Sequence, residues 1–221
     1  IPKINTQQCL IRISDANDQS LSDQSDGTFG IDFQSAGLFK FISEETNASK
    51  WFGGDDRDGS KPRNLGAGQS IMLDKDYTAH SVGFEFDDKF DYNQNPENTG
   101  HEVTLHLNIF TSDGYFVDTT GKTISAEFAG GWINFLTNTE LSGKQEYVFT
   151  CYVNGGETVE LQSNILAHTD DKIPHGTGYT AEIDTAGEDF VDWSKWETHT
   201  WDFNFRLNGT YTNVSVERNL T

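Results

Sequence analysis

Acidic side chains come in tight groups along this chain, and grouped carboxylates are what a hard cation such as Ca2+ takes, six to eight oxygens at a time. Asp15, Asn17 and Asp18, continuing through Asp23 to Asp26, open with the spacing of an EF-hand loop. The pattern fails at the fifth position, Gln19, and at the sixth, where Ser20 stands in place of the glycine that the sharp turn needs. No helical periodicity flanks it, so an EF-hand is excluded and a simple loop site is the remaining expectation. The runs Asp55-Asp56-Arg57-Asp58-Gly59 and Asp87-Asp88-Lys89-Phe90-Asp91 are of the same kind. Asp15, Asp26, Asp56 and Asp58 are therefore the candidate ligands of a structural calcium, with a solvated loop as the alternative for each.

A second chemistry is carried by aromatic residues set among short polar ones. Trp51-Phe52 falls in a polar stretch, Tyr92 in an Asn-rich one, and Trp193 and Trp196 flank Ser194-Lys195 between Asp192 and Glu197. Sugar rings present apolar C–H faces that stack on Trp and Tyr, while Asp, Asn and Arg bind their hydroxyls. Trp51, Tyr92, Trp193 and Trp196 are the candidate glycan contacts. Capping of the ends of a core is the competing role. Trp132 and Trp201 lie within strand-like runs and are expected in the core.

Other chemistries are absent from the sequence. There is no G-x-S-x-G elbow and no glycine-rich phosphate loop. Of the six histidines, His101 and His106 are five apart and would point to opposite faces of a strand, so they share no metal locally. Cys9 and Cys151 sit in no motif that would activate a thiolate. Two cysteines fit a single disulfide in an oxidising compartment, with two buried thiols as the alternative. Such a bond would close a loop of about 140 residues, worth ~5 kcal/mol in the chain-entropy model.

Charge narrows the partners. The 35 acidic and 15 basic residues leave a formal charge of −20, a field that repels phosphate backbones and argues against nucleic acid. It argues equally against anionic polysaccharides unless a cation bridges the two. No stretch approaches the ~20 apolar residues of a membrane span, so no membrane insertion is expected. The start at Ile1-Pro2-Lys3-Ile4, without Met, has the look of a mature terminus after signal removal. N-x-S/T sequons begin at Asn47, Asn208, Asn213 and Asn219, and the crowding of three near the end fits residues 208–221 leading to a linker or further domain. Together these place the chain outside the cell or at its surface.

The elements that must hold these groups are strands. Val82, Phe84 and Phe86 alternate, as do Val103, Leu105, Leu107 and Ile109, with Thr104, His106 and Asn108 opposite. Tyr147, Phe149, Cys151 and Val153 form a third such row, and Trp201, Phe203, Phe205 and Leu207 a fourth. Ser112-Asp113-Gly114 is a hairpin turn into Tyr115-Phe116-Val117, and Gly130-Gly131 separates strands at 124–128 and 132–136. Residues 43–69 are expected as a long polar loop. A dozen or more short strands at this spacing, 21 glycines and a core built from 16 Phe rather than Leu and Ile make an antiparallel all-β sandwich. With no Pro/Ser-rich linker, residues 1–221 form one domain.

The last third adds a resemblance. Tyr147-Val148-Phe149-Thr150, a glycine turn, Ala167-His168-Thr169-Asp170-Asp171, Gly176-Thr177-Gly178-Tyr179 and the closing Trp201-Asp202-Phe203-Asn204-Phe205-Arg206 are similar to the ending of jelly-roll modules of bacterial extracellular proteins. The likeness spans about residues 100–210 and is one of strands and turns, with no catalytic fingerprint. It implies a jelly-roll sandwich, glycan binding at loop ends or on a concave face, and a structural calcium near the terminal strands, for which Asp202 alone matches a position. The leading expectation is a non-catalytic, calcium-stabilised module that binds a polysaccharide or other glycan or serves adhesion. A structural subunit of a surface layer, filament or matrix, built by strand addition between copies of the chain, is the second. A polysaccharide-degrading enzyme using paired carboxylates is the third.

Overall fold

The computed structural model describes residues 46–55, 63–92, 102–153, 161–170, 173, 175–183 and 193–211, together with the backbone of five short leading strands. Those are β1 (Thr6–Cys9), β2 (Arg12–Ser14), β3 (Ser22–Gln24), β4 (Phe29–Ile31) and β5 (Leu38–Ile42). Then follow β6 (Ala48–Asp55), β7 (Arg63–Leu73), β8 (Tyr77–Phe86), β9 (Asp91–Tyr92), β10 (Val103–Thr111), β11 (Phe116–Ile124), β12 (Gly131–Leu141) and β13 (Gln145–Val153). The last group is β14 (Leu161–His168), β15 (Gly178–Ile183), β16 (Trp196–His199), β17 (Asp202–Phe203) and β18 (Phe205–Tyr211), with a single 3-10 turn at Trp193–Lys195 before β16. Among the described residues no helix is long and apolar enough to cross a membrane.

Strands β5 to β18 share one hydrogen-bonded antiparallel sheet that curls on itself, while β1 pairs with β4 and β2 with β3 as separate ribbons. One layer runs β11-β10-β13-β7 and continues through β15 to β16. The other runs β12-β8-β18-β5, and β6 and β14 carry the hydrogen bonding round from β7 to β8. The chain passes from one layer to the other between β7 and β8, β8 and β10, β11 and β12, and β12 and β13. Crossing of this kind is what a jelly-roll sandwich requires.

Alternation fills the space between the layers as the sequence leads one to expect. Leu105, Leu107 and Ile109 of β10 and Phe149 of β13 face Val82, Phe84 and Phe86 of β8 and Phe205 and Leu207 of β18, all buried in one cluster. Phe149 meets Phe205 across the layers at 5.3 Å between ring centroids, and Phe84 packs edge-on to Phe205 at 5.5 Å. Strand β13 is buried on both faces from Tyr147 to Val153. Its outward residues Val148 and Tyr152 join Tyr179, Ala181, Ile183 and Trp196 in a second cluster, on the outer side of the first layer.

Several expectations are corrected. The long loop expected at 43–69 is in large part strand, β6 and the start of β7, where Gly66 and Gly68 are packing positions rather than turns. A Cβ on Gly66 would lie 2.8 Å from Cη2 of Trp196. Of the strand expected at 124–128, Ile124 ends β11 and residues 125–128 form the turn after it. Trp132 is not in the core. It stands on the outer face of β12, half-buried, with the Arg206 guanidinium 4.4 Å over its ring. The closing alternation breaks at Asn204, where β17 leaves β14 and β18 begins on β8, and half-buried Trp201 packs edge-on to Phe203 at 4.7 Å. Cys151 is a free thiol, fully buried, so the structure gives no support to the expected Cys9–Cys151 bond. Burial pushes that thiol's pKa well up.

Candidate functional site

The β10–β11 hairpin builds one end of the first layer. Its turn needs glycine: Gly114 has φ of 89°, and a Cβ there would meet Cδ1 of Trp193 at 2.3 Å. The turn is tied down from both sides. Thr111 N donates to Tyr115 O and Gly114 N to Thr111 O, each at 2.9 Å, and the Thr111 hydroxyl donates to the Asp113 carboxylate. Ser112 N donates to Glu146 O on the neighbouring strand at 3.1 Å.

Against this turn lies a group of rings. Trp193 packs on Phe110 at 5.4 Å and on Tyr179 at 5.6 Å, and Phe110 meets Phe116 edge-on at 6.0 Å. The inner rings, Phe110 and Tyr179, are buried, and Trp193 is half-buried. The outer ones are not: Tyr115 is 72% exposed and Phe116 49%. Met72, 45% exposed, sits opposite Glu146 in the β7–β13 register. Ser112, Asp113 and Ser194 are exposed beside the rings, and Lys195 partly so. Burial raises the Tyr179 phenol above its usual pKa, and the nearby Glu146 carboxylate adds to this. The end is thus a rigid aromatic surface bordered by hydroxyls and charges of both signs.

The residues picked from sequence fall in different places. Trp193 belongs to this surface. Trp196, three residues on, is 8% exposed in the second cluster, with an indole N–H that no described residue accepts. Trp51 and Tyr92 lie on β6 and β9, and their side chains are outside the described residues. So are Asp15, Asp26, Asp56 and Asp58. Among the described residues no three His, Cys, Asp or Glu side chains are grouped to hold a metal. Asp202 is 1% exposed; Oδ1 accepts from Gln69 Nε2 and Oδ2 from Ile173 N, both at 2.8 Å. Its two oxygens pin β17 to strand β7 and to the segment at Ile173. The expected turn into a strand holds, with Phe116 the first residue of β11, and a place directly after a Ser-Asp-Gly turn is the sequence signal that Tyr115 and Phe116 stand in solvent.

No protein-family model matches the chain, and no curated protein is similar to it. Among solved structures, the cysteine protease and lectin-like domains of Cwp84, a surface layer associated protein of Clostridium difficile, are similar over 77% of this chain at 14% identity, with a TM-score of 0.42. The clostridial cysteine protease Cwp84 after propeptide cleavage is similar over 78% at 13% identity, with a TM-score of 0.47. This chain spans 37% and 40% of the length of those two chains.

Proposed function

We propose that this chain is a carbohydrate-binding module that works outside a cell or at its surface, and that the hairpin end is its glycan contact. One observation carries the reading: Tyr115 and Phe116 stand open to solvent beside half-buried Trp193, on a turn too constrained to fold them away. Exposed aromatic groups on a rigid support mark interaction sites. A ring surface bordered by Ser112, Asp113, Ser194 and Lys195 suits a ligand that is apolar on its faces and hydroxylated at its edges. The field of −20 favours a neutral glycan over an anionic one.

An array of immobilised neutral and acidic glycans, probed with the labelled chain, tests this. Binding to neutral glycans that survives 0.5 M NaCl is the expected result. Silence across the array, or binding to acidic glycans alone, overturns it. Calcium enters the proposal through Asp15, Asp26, Asp56 and Asp58. A larger rise in Tm with Ca2+ than with Na+ at matched ionic strength is the outcome that supports it, and equal rises remove it.

A further inference from the structure

Strand β11 ends the first layer: β10 pairs with one of its edges, and no described strand pairs with the other. Thr119, Gly121, Lys122 and Thr123 are exposed, and Thr120 is half-buried. The bonding side of each residue follows from its neighbours. Leu107 O is turned towards β11, where it accepts from the Thr119 hydroxyl at 3.2 Å, and Asn108 O towards β13, where it accepts from the Thr150 hydroxyl at 3.3 Å. Backbone groups alternate sides along a strand. Thr120, opposite Leu107, therefore bonds to β10, while Thr119 and Gly121 aim their N–H and C=O groups at the free edge. Thr119 N accordingly donates to Oδ1 of its own neighbour Asp118 at 2.8 Å, a local stand-in for a strand partner.

An open edge of nine residues that includes Val117, Thr119, Thr120, Thr123 and Ile124 takes another strand unless something prevents it. Two charges guard this one. Asp118 lies opposite the core residue Ile109 and Lys122 opposite Leu105, so both sit on the inner side. Asp118 Oδ2 accepts from the hydroxyls of Thr137 and Thr139, and Lys122 Nζ donates to Asn134 O at 3.0 Å, all on β12. Inward charges of this kind turn away most incoming strands, which leave them unmatched. One strand matches them. Asp118 and Lys122 are placed evenly about Thr120, so a second β11 laid antiparallel about Thr120 sets each Asp118 against Lys122 of the other copy.

We propose that this edge is a homodimer interface, in which two copies join β11 to β11 about a twofold axis at Thr120 and merge their first layers into one sheet. Thr119 then pairs with Gly121 of the other copy, and outward N–H groups meet outward C=O groups. Thr119 N passes from Asp118 to the Gly121 carbonyl of the other copy. The released carboxylate oxygen takes the incoming Lys122 ammonium, which has donors to spare beside Asn134 O. Asp118 and Lys122 fall at non-hydrogen-bonded positions, where opposed side chains come closest. The register shift between Ile109 and Phe110 ends the regular ladder before Phe116, so the hairpin end stays outside it. A charge of −20 on each copy opposes association, so the dimer is weak and the two ion pairs select its register.

Sedimentation velocity of the whole chain, over a concentration series reaching about 0.5 mM, tests it. Wild-type protein is expected to pass from monomer to dimer, and a monomer throughout overturns the proposal. K122E sets carboxylates face to face at both ends of the ladder and should weaken the dimer at least about tenfold. Adding D118K exchanges the two charges and should restore it; a folded double variant that stays monomeric overturns the register. A K122E dimer as tight as wild type, with Tm unchanged, puts association elsewhere and overturns the edge. Asp118 also holds Thr139, so where the double variant does not fold, G121P decides: it removes an outward N–H and leaves both charges in place. Folded G121P is expected to be monomeric, and a dimer retained there overturns the proposal. All three changes lie outside the hairpin end, so the glycan reading stands or falls separately.

Discussion

Gln69 and Asp202, 133 positions apart, meet in the interior at 2.8 Å and together stitch three segments of the sandwich. The Gln69 amide donates through Nε2 to Asp202 Oδ1 and accepts from Phe203 N at 2.8 Å, while Asp202 Oδ2 accepts from Ile173 N. A central strand of one layer is thereby fixed to the short strand that turns the chain into β18. Asp202, the one position that the resemblance to other jelly rolls gives to a cation ligand, here accepts from a side-chain amide and a backbone N–H.

Replacing Asp202 by Asn or Ala leaves at least one of these buried donors open. That costs roughly 1–3 kcal/mol for each, and Tm is expected to fall by several degrees for a chain of this size. Thermal unfolding of D202N and D202A checks it. A Tm within a degree of wild type would show that Asp202 is dispensable to the fold.

Much of the architecture is legible in the sequence because period-2 alternation reports a face directly. The Val82-Phe84-Phe86, Leu105-Leu107-Ile109 and Tyr147-Phe149-Cys151 rows all point into the core as read. What misleads is glycine. The Gly-rich segment of β7 looks like loop, yet Gly66 and Gly68 are flat so that Trp196 and Tyr179 can lie on the outer face of the first layer. Trp132 misleads for the opposite reason. Its strand context says core, but only the β12–β8 register decides which face it takes, and register is not written in composition. The aromatic end is half legible: Trp193 is identifiable by its polar neighbours, whereas its contact with Gly114 joins residues 79 positions apart.

The close approach of Gly66 to Trp196 gives a prediction. In G66A the new methyl group must displace the Trp196 ring or the Ile183 side chain from a packed cluster, and overpacking of this kind costs about 1–3 kcal/mol. A lower Tm with a shifted tryptophan emission maximum is expected. Unchanged stability would mean that the second cluster is loose.

His199 makes stability depend on pH. Burial lowers its pKa; Glu197 opposes this, and Lys50 adds to it. Its ring stacks on Trp201 at 4.6 Å, and Nε2 lies 2.6 Å from the Thr180 hydroxyl. A histidine held below its ordinary pKa of about 6.5 is favoured neutral in the fold, and its contribution is complete above that value. As pH drops below it the unfolded chain takes the proton first, so stability is lost towards the lower, folded pKa. Between pH 7.5 and 5, wild-type Tm should fall more than that of H199Q. Parallel curves would remove the histidine from the account.

Cys151 is expected to be inert. Fully buried, with its thiol pushed to high pKa, it should resist a disulfide-exchange reagent in the native state and react once the chain is unfolded. Reducing agent should leave Tm unchanged. A fall of many degrees on reduction would instead reveal the Cys9–Cys151 bond.

The central claim is that exposed rings at the hairpin end contact glycan, and the affinity of Y115A for a neutral glycan found on the array tests it most directly. Tyr115 is 72% exposed, so its loss should leave Tm within about a degree, as surface changes do. Measured by calorimetry, affinity is expected to fall at least about tenfold, a loss of ~1.4 kcal/mol. Affinity equal to that of the Tyr115 parent, with the fold intact, would contradict the account.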